Sequence, residues 1–268
     1  MINVSIVLYN HLPEQVAPLI EALVHSDRVA MVSLVDNSPV KNEEFEKIGV
    51  PYIFTGKNIG YGAGHNIAIR ETINANVDYH LVVNPDIVLK TDILSKIEDF
   101  MNANNDIGLL MPKVFFPTGE IQYLCKLLPA PSDLIFRRFL PEKWTQERQI
   151  RFELRASGYD KQMDVPYLSG CFMFIRTEAL KKVGIFDERF FLYPEDIDLS
   201  RRINRHFRTV FYPDVSVVHQ HEQASYKNRK MLFIHITNMT KYFCKWGWLF
   251  DSERKEVNKR TKENLLMC

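Results

Sequence analysis

A short, mostly apolar β-branched run at residues 4–8 gives way to helical spacing, with Val16, Leu19, Ile20, Leu23 and Val24 recurring behind Pro13. Strand, loop and helix follow from that change of period. The alternation continues: 29–35 reads as a second strand ending at Asp36-Asn37-Ser38-Pro39, 51–54 as a third and 81–83 as a fourth. A helix is expected at 66–74, and a helix-like pattern resumes at Thr91. Strands alternating with helices predict an α/β fold with a mostly parallel central sheet and helices on both faces. In such sheets ligands bind beyond the carboxyl ends of the strands.

The pattern changes near Met111. Residues 115–155 read as an irregular excursion, with Pro117, Pro129, Pro131 and Pro141 interrupting apolar and basic patches such as Phe136-Arg137-Arg138-Phe139. Order returns at 167–175, an apolar run broken by Ser169-Gly170, and then at 177–184, a helix that Thr177 should cap and Gly184 should end. Residues 210–212 and 215–218 read as two short strands, and the chain from Tyr226 as helix to its end.

With 268 residues, 46% hydrophobic and 25% charged, the chain has the core of one large α/β domain or two small ones. A net charge of +1 gives no global field for nucleic acid. The four cysteines, Cys125, Cys171, Cys244 and Cys268, have no metal-site spacing and are expected to be free thiols. No apolar stretch nears the roughly 18 residues that span a bilayer, and the start carries no basic leader, so a cytoplasmic location is expected.

Candidate chemistry gathers at the strand ends. Asn84-Pro85-Asp86 puts an amide, a rigid proline and a carboxylate at the tip of the fourth strand, a platform suited to Mg²⁺ or Mn²⁺ carrying a diphosphate; the same three residues are also common turn formers. Tyr9-Asn10 ends the first strand. Asp36 ends the second, where it is either an acceptor for a pyrimidine N–H or part of a surface turn. The segment from Gly56 to Asn66, with Asn58, Gly60 and Gly62, either lets backbone approach an anionic ligand at a helix start or forms a flexible turn. Farther on, Phe190-Phe191-Leu192-Tyr193-Pro194 leads into Glu195-Asp196, which reads as helix capping or as a base held against an apolar wall. His219 ends a strand-like run as a metal or phosphate ligand or as an ordinary polar residue, and Arg137, Arg138, Arg201 and Arg202 are phosphate partners or solvated surface groups.

Taken in order and spacing, these motifs resemble the inverting GT-A glycosyltransferases of family 2, in particular a bacterial rhamnosyltransferase-like branch. The resemblance runs from about residue 4 to 245 and rests on Val4-Ser5-Ile6-Val7-Leu8-Tyr9-Asn10, Val35-Asp36-Asn37-Ser38, the Asn58 to Asn66 segment, Leu81 to Asp86, Leu168-Ser169-Gly170, Gly184 to Phe191 and Glu195 to Leu199. It implies a GT-A, Rossmann-like fold with a nucleotide-sugar-binding half at 1–110, an acceptor and catalytic half at 111–225 and a C-terminal helical tail at 226–268. It further implies donor contacts from Tyr9, Asn10, Asp36, Asn58, Gly60, Gly62, Asn66 and Asn84. Asp86 would bind Mg²⁺ or Mn²⁺ with His219 nearby and Ser225 downstream, Asp196 would be the base and Glu195 its neighbour. dTDP-rhamnose or a UDP-hexose is the implied donor, and a glycan or lipid-linked precursor the acceptor.

Two residues depart from the family pattern. Asn84 stands where a first acid is usual, and Asn204-Arg205-His206-Phe207-Arg208 lacks the usual glycine. A sugar nucleotidyltransferase and a glycan-binding protein on a transferase fold remain the rival readings. Between Lys241 and Lys262 seven basic residues oppose three acidic ones, and with Trp246 and Trp248 this suggests either peripheral docking on an anionic membrane or a helix packed on the sheet or on a second copy of the chain.

Overall fold

The computed structural model describes residues 1–89, 92–133, 142–220 and 229–267. The first half runs β1 (Ile2–Leu8), α1 (Pro13–Val24), β2 (Val29–Asp36), β3 (Tyr52–Phe54), α2 (Tyr61–Asn74), β4 (Tyr79–Val83), β5 (Ile87–Val88), α3 (Leu94–Ala103) and β6 (Ile107–Phe115). There follow β7 (Cys125–Lys126), α4 (Glu142–Phe152), β8 (Met163–Asp164), β9 (Tyr167–Leu168), β10 (Phe172–Arg176), α5 (Thr177–Val183), α6 (Pro194–Asn204), β11 (Arg208–His219), α7 (Arg229–Trp246) and α8 (Ser252–Met267).

The main sheet has the order β3-β2-β1-β4-β10-β6-β11-β5, with β8 added to β11. β3, β2, β1 and β4 are mutually parallel, as are β6 and β11, whereas β10 runs antiparallel between β4 and β6. Alternate residues feed two cores: Leu81, Val83 and Phe174 pack with α1 and α3, while Val82, Met173 and Ile175 pack with α2, α5 and α6. Helices therefore cover both faces, and the polar ends of β1, β2 and β4 meet at one edge. The expected division near residue 110 falls inside β6, so both halves share this sheet.

Several elements differ from the sequence reading. α2 starts at Tyr61 and takes in Gly62 and Gly64, because an added Cβ there would come within 2.8 Å of Phe186 and 2.9 Å of Val7, respectively. Thr177 lies inside α5 rather than capping it; Arg176 holds the cap position, and the Thr177 hydroxyl is buried with no hydrogen-bond partner among the described residues. The two short strands at 210–218 are one strand, β11, with an irregularity between Tyr212 and Ser216. The C-terminal helix is two helices, broken at Gly247, whose φ of 104° suits glycine. β6 and α4 were not foreseen, and α4 gives order to the expected excursion. Arg137, Arg138, Thr91 and Ser225 lie outside the described residues.

Candidate active site

At the end of β1, Tyr9 is half exposed and Asn10 takes a left-handed conformation with φ of 57°. The Asn10 N–H donates to Ser38 Oγ at 2.8 Å, and the Tyr9 N–H donates to His11 Nδ1 at 3.0 Å. Asp36 is buried; its Oδ1 accepts from Ser38 N–H at 2.9 Å and its Oδ2 from the Tyr52 hydroxyl at 2.6 Å. Burial and the Asp36 carboxylate push the Tyr52 phenol up.

The glycine segment is filled by protein. Asn58 Oδ1 accepts from Gly60 N–H at 3.0 Å, and Gly60 itself has φ of 99° with the Phe191 carbonyl 2.6 Å from where a Cβ would lie. Gly62 packs on Phe186. The Asn66 side chain donates to the Phe186 carbonyl and to Glu188 and accepts from Phe186 N–H. Gly62 and Asn66 therefore fasten α2 to the segment leading into α6, and the close approach these glycines permit is to chain rather than to an open cleft.

β4 ends in the Asn84 turn. The Asn84 N–H donates to the Cys171 carbonyl at 2.9 Å, and the Gln220 N–H donates to the Asp86 carbonyl at 3.0 Å. Pairing of β5 with β11 sets Ile87 opposite His219, which brings the imidazole to the turn. The Gln122 amide donates to the His219 carbonyl at 2.9 Å, so its oxygen, 2.9 Å from His219 Nδ1, accepts the ring proton there. In the neutral ring this leaves Nε2 as the basic nitrogen, 3.2 Å from Asp86 Oδ1 and 3.3 Å from the Asn84 amide nitrogen.

The other carboxylates begin α6. Tyr193 precedes it with φ of 94°, a strained value for a side-chain-bearing residue, and Pro194 occupies the first helical position. Glu195 and Asp196 are buried, 3% and 8% exposed. Asp196 Oδ2 accepts from Gly170 N–H at 2.9 Å and from the Tyr167 hydroxyl at 3.4 Å, while Oδ1 accepts from Ile197 N–H at 2.8 Å. Glu195 Oε2 has no hydrogen-bond partner among the described residues. Burial pushes both carboxyls up; Asp196 adds to the rise at Glu195, whereas the N–H donors and Lys126 restrain it at Asp196.

Tyr61 joins the two carboxylate groups. Its hydroxyl lies 2.9 Å from Asn84 Oδ1 and 2.7 Å from the Gly170 carbonyl, and Gly170 is the residue whose N–H holds Asp196. One phenolic proton thus serves two acceptors at the junction of the β4 turn and the base. Sequence reading assigned no role to Tyr61, Gln122 or His11, although Tyr61 lies inside a motif that it singled out. Arg201 and Arg202 are not open to phosphate: Arg201 is buried against Asp251 and Glu253, and Arg202 is held by Asp198 and the carbonyls of residues 183–185. Among the described residues, no three His, Cys, Asp or Glu side chains form a metal cage, and no helix is long and apolar enough to cross a membrane.

This mostly parallel sheet with helices on both faces is of the GT-A kind, a fold shared with solved glycosyltransferases. GalNAc-T7, solved with UDP, GalNAc and Mn²⁺, shares the fold with a TM-score of 0.60 at 14% identity, over 81% of this chain and less than half, 42%, of that one. A mannosyltransferase from Pyrobaculum calidifontis, solved with GDP-Man and Mn²⁺, gives 0.55 at 14% identity over 91% of this chain and 63% of that one. Residues 38–240 match the model of glycosyltransferase-like family 2, and the chain belongs to that family. It is similar to the N-acetylglucosaminyl-diphospho-decaprenol L-rhamnosyltransferase of Mycobacterium tuberculosis, 27% identical over 72% of this chain and 67% of that protein. Rhamnosyltransferase WbbL of Escherichia coli K12 is 26% identical over 91% of this chain and 93% of its own length. The chain is thus a transferase enzyme.

Proposed function

We propose that the protein transfers a sugar, with inversion, from a nucleotide-diphosphate donor to a hydroxyl of a cell-surface glycan or lipid-linked precursor. Asp196 takes the proton of the acceptor hydroxyl as that oxygen attacks the anomeric carbon, and the bond from that carbon to the diphosphate breaks in the same displacement. One such displacement inverts the centre. Burial keeps water from the base, and its two N–H donors aim it and restrain the rise that burial causes. Glu195 is its buried neighbour, and Asp36 accepts from the nucleobase.

Asp86 Oδ1 and His219 Nε2 are a carboxylate oxygen and an imidazole nitrogen 3.2 Å apart, close to the roughly 3 Å edge expected of an octahedral ion with ligands about 2.1 Å away. These two residues fit Mg²⁺ or Mn²⁺, with Asn84 as a neutral neighbour and water or phosphate completing the shell. When bound, the ion offsets the charge that develops on the departing diphosphate. The observation that carries this reading is the Tyr61 hydroxyl bridge, which couples the ion's turn to the base. The names of two relatives carry rhamnose as the transferred sugar, which supports a rhamnose nucleotide such as dTDP-rhamnose as donor; a UDP-hexose is the alternative.

A thermal-shift screen of nucleotide sugars with Mg²⁺ or Mn²⁺ tests the donor, because binding to the folded state raises its apparent stability. Asp196→Asn should bind donor nearly as well as the wild type while abolishing transfer; turnover retained in that variant would refute the base. In Asp86→Ala, calorimetry should show that the metal no longer improves donor affinity, and an unchanged metal effect would remove Asp86 from the site.

A further inference from the structure

The imidazole of His11 is placed by three features that its sequence context does not announce. It follows β1, which lies in the sheet between β2, ending in Asp36, and β4, leading to Asp86. The turn that carries it is held in a conformation of raised energy, with Asn10 at φ of 57° and its N–H tied to Ser38. The ring folds back so that Nδ1 accepts the Tyr9 N–H at 3.0 Å. That bond fixes the tautomer: Nδ1 holds the lone pair and Nε2 carries the hydrogen.

A proton added at Nδ1 would face the Tyr9 N–H. Half-burial also holds the ring's pKa below the ordinary histidine value, although Asp86 and Asp36 both pull it upward. His11 is therefore a neutral N–H donor on the turn after β1, between the strand ends that lead to Asp36 and to Asp86. Such a donor binds an anion through a charge-assisted hydrogen bond without adding a fixed positive charge that would retain the charged product.

We propose that His11 is a donor-positioning residue whose Nε2–H hydrogen-bonds to a phosphate oxygen of the nucleoside diphosphate, between the base end at Asp36 and the metal end at Asp86. The assignment rests on the proposed function and adds a contact to that reading. It separates recognition of the donor into three contacts on adjacent strand ends, of which the middle one reads phosphate rather than base or metal.

The test measures UDP and dTDP by calorimetry and uridine and thymidine by ligand-observed NMR, using wild type, His11→Ala and His11→Gln, with and without Mn²⁺. His11→Ala should weaken both diphosphates about tenfold, the loss expected of one hydrogen bond to a charged group, and leave the nucleosides unchanged. His11→Gln, which keeps an N–H donor, should recover most of the loss, and Mn²⁺ should improve affinity by the same factor in all three proteins. Equal diphosphate affinity in wild type and His11→Ala overturns the assignment, as does an equal loss for nucleosides. Melting curves accompany each variant, and His11→Leu replaces His11→Ala should the latter not fold. If wild type binds neither diphosphate, the proposed function falls and this contact with it; if wild type binds and the variants match it, only His11 is removed.

Discussion

Glu195 and Asp196 are adjacent in sequence, yet their surroundings separate them. Asp196 receives two backbone N–H bonds and the Tyr167 hydroxyl, whereas Glu195 Oε2 has no partner among the described residues, and burial makes the pair take up its first proton above the ordinary carboxylate range. The folded state raises the Glu195 pKa, so it binds this proton more tightly than the unfolded chain does. The resulting stability is fully present below the ordinary glutamate value and is lost as pH rises through the raised one. Glu195→Gln removes the alkaline penalty. Its melting temperature should exceed that of wild type at pH 9, and the gap should close at pH 5; a gap independent of pH would mean that Glu195 is ionised throughout. For Asp196 the direction is the same but the readout is the rate: kcat should fall on the acid side at a pH above the ordinary aspartate value of about 3.9. Asp196→Asn should have no such limb to measure.

At the scale of elements, α2 is the piece on which the site turns. Its glycines were legible as a motif, but the partners that demand them, Phe186, Phe191 and Val7, are far away in sequence, so their packing role was not. Gly62→Ala should cost about 1–3 kcal/mol by overpacking against Phe186, visible as a drop of several degrees in melting temperature. Tyr61→Phe should melt near wild type but lose kcat, because the Asn84 turn and the Gly170 loop are no longer tied. Strand tips were readable because apolar runs end there in turn formers. β6 was not, since Gly108, Pro112 and Lys113 interrupt its apolar run, and α4 was not because Glu-Lys-Trp-Thr-Gln-Glu-Arg carries no apolar stripe. Tyr61, Gln122 and His11 draw their roles from contacts that exist only once the sheet has formed.

Across the whole molecule, α6 is anchored to the C-terminal helices through a buried ion pair. Both Nη atoms of Arg201 meet Asp251, at 2.8 and 2.7 Å, each side chain is 2% exposed, and the guanidinium lies 4.1 Å from the Trp246 ring centroid. Asp251→Ala should therefore cost about 1–3 kcal/mol, read by denaturant unfolding, since it removes the two-bonded partner of the guanidinium and leaves it Glu253 at 2.7 Å. Trp246, which also donates to Asp198, is committed to this packing rather than to a membrane. Leu249 and Phe250, 72% and 93% exposed, are better placed for such contact. Replacing both by serine should lower sedimentation with anionic liposomes while leaving melting unchanged, and unaltered sedimentation would end the membrane proposal. The wedge strand β10 carries a last consequence. β4 pairs with it across roughly ninety residues of chain, so during synthesis the first four strands emerge with an open edge at β4. Until β10 arrives, that edge of Leu81, Val82 and Val83 is a template for strands of other molecules, and the interval before its closure is when a nascent chain most needs a chaperone.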